Sequence, residues 1–238
     1  MIPLKDTNPT LRAPIVTRSL VAMNIAVYAF QASIAATDGP GALAAMLRRF
    51  GVVAAELLHV PDFEEVTTLF TSMFLHADLL HLGSNMLFLW VFGDNVEDIL
   101  GRGRYVFFYV VGGLVAALAQ VVVDPSSRVP LVGASGAISA VLAGYVVMHP
   151  RAPVLAWIPP LFFQQLPAFV FLILWFLLQL LYAFLSLPTL GAQQGGVAFF
   201  AHVGGFVAGL LLARPIAGTR LRQWDIEAAR LRRRSGLD

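Results

Sequence analysis

Six apolar runs punctuate this chain, most of them close to the roughly 20 residues that a helix needs to cross the hydrocarbon core of a bilayer. They are Ile15–Ala36, Leu79–Val96, Tyr105–Val123, Ser135–His149, Leu166–Leu187 and Val197–Leu212. The fourth is short and rich in small residues, which suits a helix buried among the others. Inside hydrocarbon only helices and closed barrels satisfy their backbone groups, and these runs are too long and unbroken for the alternating strands of a barrel. Composition agrees: 58% of the 238 residues are hydrophobic and 13% charged, whereas soluble domains carry about 25% charged residues. The expected fold is an all-α polytopic membrane protein, a single domain of six transmembrane helices.

Charge sets the expected orientation. Thirteen of the sixteen basic residues fall at the N-terminus, the second-to-third and fourth-to-fifth connections, and the C-terminus. Arg48, Arg49 and Arg128 alone lie on the other side. The positive-inside rule then makes both termini cytoplasmic, which requires an even number of spans. Residues 1–14 read as a cytoplasmic segment, 15–214 as the membrane domain, and 215–238 as a basic cytoplasmic tail. The arginines from Arg220 to Arg234 suit a topological anchor or contact with anionic headgroups. The stretch 38–78 mixes Phe50, Leu57, Phe63 and Phe70 with Glu56, Asp62, Glu64 and Glu65, so it is expected to lie along the interface. The first run is long for a signal-peptide core and reads as a retained span. Basic residues flank apolar segments or sit in one short tail, which argues against nucleic-acid binding.

The chain has no cysteine, which excludes thiolate metal sites, disulfides and cysteine nucleophiles. No His-Glu-x-x-His pattern is present, so neither a zinc site nor any other cofactor is expected.

Polar groups at membrane depth are costly, and each is a functional candidate. His76, His81 and Asn85 cluster around the start of the second run. His81 and Asn85, four residues apart, share a helical face. Ser135 sits in Gly133-Ala134-Ser135-Gly136-Ala137, where Gly133 and Gly136 let the backbone turn tightly and let another chain approach. Ser135 also suits a plain helix cap. His202 precedes a small-residue stripe at Gly205 and Gly209, matched by Gly136, Ala140 and Gly144 in the fourth run. Two such stripes can pack backbone to backbone, although a histidine bonded to a nearby carbonyl would fit His202 as well. Taken together, Ser135 and His202 offer a nucleophile and its base, and the Ser135 N–H, His81 and Asn85 offer donors to an oxyanion.

These pieces resemble the rhomboid family of intramembrane serine proteases. The resemblance rests on His76 through Asn85, on Gly133-Ala134-Ser135-Gly136-Ala137, and on Ala201-His202-Val203-Gly204-Gly205, in that order, over roughly residues 15 to 214. It implies a six-helix rhomboid-like bundle with a Ser-His dyad lacking an acidic third member. Ser135 would be the nucleophile, His202 the general base, and His81 and Asn85 the oxyanion donors. His76 would support the entrance to the second span, and Glu97 would accept hydrogen bonds at a helix end. The implied function is an endopeptidase that cuts transmembrane substrates, the expected partners being such substrates and membrane lipids. A short chain of this kind suits a bacterial inner membrane. The alternative is a non-cleaving membrane chaperone or adaptor of the same fold, and a proton relay built on the histidines is a more distant one. Nothing in the residues fixes the oligomeric state.

Two departures stand out. Family members often carry Trp-Arg before the histidine cluster, where this chain has Thr67-Thr68. Many also place an aromatic four residues after the serine to pack on the base, and here that position is Ser139.

Overall fold

The structure, a computed structural model, describes residues 1–59, 62–189 and 197–235, with side chains in the last helix as far as residue 230. Val60 and Pro61 of the interfacial stretch and residues 236–238 therefore lie outside what is described, as do the side chains of Arg232, Arg233 and Arg234 in the basic tail.

Six helices occupy the positions of the six apolar runs. These are α1 (Ile15–Thr37), α5 (Leu79–Leu100), α6 (Arg102–Val123), α7 (Ser135–Met148), α8 (Ala168–Ser186) and α9 (Phe199–Ala217). Among the described residues, α1, α6, α8 and α9 are long and apolar enough to cross a membrane. The 22-residue α5 carries Asp94, Glu97 and Asp98 in its last turns. The 14-residue α7 is about 21 Å long at 1.5 Å per residue, short of the hydrocarbon thickness. Its environment makes up for that, because α7 packs against α5, α6, α8 and α9 and is buried nearly throughout. Apolar side chains such as Phe30, Leu177, Phe184 and Leu211 face outward on the surrounding helices, as a lipid-facing surface requires.

Local chemistry sets the helix ends. Asp78 caps α5 by accepting the His81 N–H at 2.8 Å. One residue, Gly101, separates α5 from α6 at φ +72°, a conformation that favours glycine. The 38–78 stretch folds into α2 (Pro40–Phe50), α3 (Ala54–His59), α4 (Phe63–Thr71) and a 3-10 turn at Ser72–Phe74. A last helix, α10 (Arg220–Ser235), follows α9.

The all-α expectation needs a correction. Ile2–Asp6 (β1), Pro153–Trp157 (β2) and Phe163–Pro167 (β3) form an antiparallel sheet in the order β1-β2-β3. Three short strands, each holding a proline and one of them more than 140 residues distant, leave no local periodicity to read. Residues 1–14 are thus a strand and a strap laid on the bundle. The fifth helix begins at Ala168, later than Leu166, because Leu166 and Pro167 complete β3. Val154 and Ala156 of β2 are fully buried and join the main core.

The strap is held at the far end of α5. Asp6 accepts from the Tyr145 hydroxyl at 2.5 Å and from Asn95 Nδ2 at 2.9 Å. Asn8 donates to Asn95, Thr10 to Asp94, and the Leu11 N–H to Asp98. Trp224 of α10 donates to the same Asp98 at 2.6 Å, which fastens the C-terminal helix to that end.

Candidate active site

Two helices in direct backbone contact organise the site. A Cβ added to Gly205 would stand 2.1 Å from the Gly136 carbonyl oxygen, and one added to Gly209 would stand 2.3 Å from that of Ala140. Both contacts step by four residues in the same direction, so α7 and α9 run parallel with their first turns side by side. Ser135 opens α7, and His202 lies in the first turn of α9. Gly136 completes the fit against α6, where an added Cβ would meet the Ala116 Cβ at 2.5 Å. The small residues therefore permit an approach that any side chain would block.

Ser135 is not the cap of its helix. Ala134 holds the capping position and no side-chain cap bond is made. The half-buried Ser135 therefore starts the first turn, where backbone N–H groups have no carbonyl partner within the helix. Just before it, Gly133 adopts φ +126° and donates its N–H to the Ser72 carbonyl at 2.8 Å. A Cβ at Gly133 would lie 2.8 Å from His81 Nε2 and 3.7 Å from Ser135 Oγ, so those two groups flank the glycine and face a common space. His81 belongs to the first turn of α5, so three helices bring their starts to this one end.

His76 and Asn85 form the floor beside His81. Asn85 Nδ2 donates to His76 Nε2 at 3.0 Å, and the His76 ring meets the His81 ring edge-on at 5.1 Å between centroids. The Gln31 side chain on α1 bonds both backbone groups of the fully buried His76, accepting from its N–H at 3.1 Å and donating to its carbonyl at 2.9 Å. His76 is thus tied to α1 by its backbone and to α5 by its ring.

His202 is buried and hydrogen-bonds through Nδ1 to Gln179 Oε1 of α8 at 2.8 Å. Trp175 and Phe199 flank its ring at centroid distances of 6.1 and 6.3 Å. Sequence reasoning singled out neither Gln179 nor Trp175. The signal for Gln179 was present, because it is the one amide in an otherwise apolar α8. Ser139, in place of the aromatic often found there, donates to the Ser135 carbonyl at 2.7 Å and lies against Gly205.

Glu97 stands apart from these groups. Its carboxylate accepts from the N–H groups of Val16 and Thr17 and from the Thr17 hydroxyl at 2.8–2.9 Å, closing the start of α1.

Comparison with known proteins gives this arrangement its lineage. The family model for the Rhomboid domain matches residues 64–218, nearly two thirds of the chain, including α5, α6, α7, α8 and α9. This chain belongs to the rhomboid family. It is 28% identical over 217 residues to the rhomboid protease AarA of Providencia stuartii, covering 86% of this chain and 73% of that one. It is 31% identical over 152 residues to the rhomboid protease GluP of Bacillus subtilis, and 28% identical over 164 to the mitochondrial rhomboid protein 1 of Saccharomyces cerevisiae. Those two matches span 63% and 66% of this chain but only 27% and 44% of the relatives' own lengths. As a rhomboid, the chain is a membrane-embedded, multi-pass helical protein.

Proposed function

We propose that this rhomboid is an intramembrane serine endopeptidase that hydrolyses peptide bonds in or near the transmembrane segments of other membrane proteins. The observation that supports the reading best is the backbone contact between α7 and α9, which sets the start of the Ser135 helix against the first turn of the His202 helix. In this reading all six helices span the bilayer and both termini are cytoplasmic, so the site opens near the outer face. Relatives from bacteria and from mitochondria both match the chain, and we take a bacterial inner membrane as its location in this reading.

The chemistry follows from the groups present. A substrate helix must unwind locally, because its carbonyls are otherwise bonded and shielded. Ser135 Oγ attacks the exposed carbonyl carbon while its proton passes to His202 Nε2. The oxyanion that forms is met by the Ser135 N–H, a His81 ring N–H and the second N–H of Asn85, the first being given to His76. His202 returns the proton to the departing amine, leaving an acyl-enzyme on Ser135. It then deprotonates the water that releases the acyl group. Substrate proteins and the lipids around them are the partners this scheme requires.

The test is co-reconstitution in liposomes with a single-span substrate. Ser135→Ala and His202→Ala should each lower cleavage by at least about 10³-fold. Substrate that binds but remains uncut by the unaltered protein would instead identify an adaptor.

A further inference from the structure

The proposed base has a partner on a third helix. We propose that Gln179 is a positioning residue, its amide oxygen fixing the tautomer and the orientation of His202. The inference rests on the reading of Ser135 and His202 as nucleophile and base.

An amide oxygen can only accept, so the 2.8 Å contact with Gln179 Oε1 requires a proton on His202 Nδ1. In the neutral ring Nε2 then carries the lone pair. That is the nitrogen the mechanism needs. As the bond from Ser135 Oγ to the substrate carbonyl forms, the Oγ proton transfers to Nε2 and the ring becomes cationic. The positive charge is shared with the Nδ1–H, which points at the negative end of the Gln179 amide.

The surroundings tie this contact to the ring. Trp175 lies one helical turn before Gln179, so the two residues share the face of α8 that meets α9. Trp175 flanks the His202 ring, and Phe176 stacks on Phe206, one turn beyond His202, at 4.4 Å. Gln179 is half-buried in a helix whose neighbouring positions are leucines. A lone amide there is costly without a partner, and among the described residues its partner is His202. The arrangement also accounts for Ser139. Ser139 is buried and offers no ring to pack on the base, and Trp175 and Gln179 of α8 supply the steering instead.

A structural role alone predicts the opposite response to mutation. Gln179→Leu is close in volume and better suited to lipid, so a purely structural amide would be replaced without loss. The experiment is the rate of Ser135 labelling by a fluorophosphonate in detergent, measured against pH for the unaltered protein, Gln179→Leu and Gln179→Glu. Gln179→Leu should lower the rate about ten- to a hundred-fold while the unfolding midpoint holds. Gln179→Glu keeps the acceptor, should retain most of the rate, and should move the rising limb of the profile about one unit or more to higher pH, because a carboxylate favours the imidazolium. His81, across the site, and Tyr182, stacked on Phe199, are the other titratable groups nearby, and both are the same in all three proteins. Unchanged labelling in Gln179→Leu, or an unmoved profile in Gln179→Glu, would overturn the proposal. No labelling of the unaltered protein would defeat the prior reading of Ser135 and His202.

Discussion

Ser139 shows how closely a single position is bound to its surroundings. Its hydroxyl is spent on the Ser135 carbonyl, and its Cβ would be 3.3 Å from a Cβ at Gly205. Ser139→Tyr, although it installs the kind of residue often found at this place in the family, should therefore overpack the α7–α9 seam. We expect a destabilisation of about 1–3 kcal/mol and slower fluorophosphonate labelling, read from the unfolding midpoint and the labelling rate. An unchanged midpoint would show that the seam has room. Residues of this kind are only partly legible in sequence. Ser135, His81, Asn85 and His202 stand out because each interrupts an apolar run, and a hydroxyl or imidazole there needs a reason. Gln179 obeys the same rule, yet its meaning depends on which helix α8 faces, and no motif in α8 announces that.

Among the elements, the parallel pairing of α7 and α9 is the contact on which the site is built, and glycine is its instrument. Gly205→Ala places a methyl group 2.1 Å from a backbone oxygen, which cannot rotate away, so the helices must separate. Loss of labelling together with a lower unfolding midpoint is the expected result. Gly103→Ala, where nothing lies within 4 Å, should leave both intact and gain up to about 1 kcal/mol of helix propensity. Equal behaviour of the two variants would contradict the seam. Glu97 makes a separate element-level prediction. Glu97→Ala strands the Val16 and Thr17 N–H groups at the start of α1, at about 1–3 kcal/mol, and should lower the unfolding midpoint. The six helices and the small-residue stripes were readable because hydropathy and spacing are local properties. The sheet was not, because β1 finds its partner through register with a hairpin more than 140 residues away.

At the scale of the whole molecule, one end of the bundle carries the proposed chemistry and the other ties the chain's two ends together. Asp6 sits at the centre of the second end. Burial lifts its carboxyl from the ordinary 3.8 to about 6, opposed by the hydrogen bond from Tyr145. The folded protein therefore holds this proton more tightly than the unfolded chain. Its contribution to stability is full below the ordinary carboxylate range and is lost as pH rises through about 6. Asp6→Asn keeps an acceptor for Tyr145 but does not titrate, so its unfolding midpoint should gain on the unaltered protein between about pH 4 and about pH 7. A constant difference across that range would count against a buried, proton-binding Asp6. None of this bears on catalysis, which turns on whether Ser135 and His202 act as one unit. The most direct measurement is fluorophosphonate labelling of the detergent-solubilised protein, followed by peptide mass mapping of the adduct. A single adduct on Ser135, absent in His202→Ala, is the predicted result; an adduct on another residue, or labelling of Ser135 that persists undiminished without His202, would contradict it.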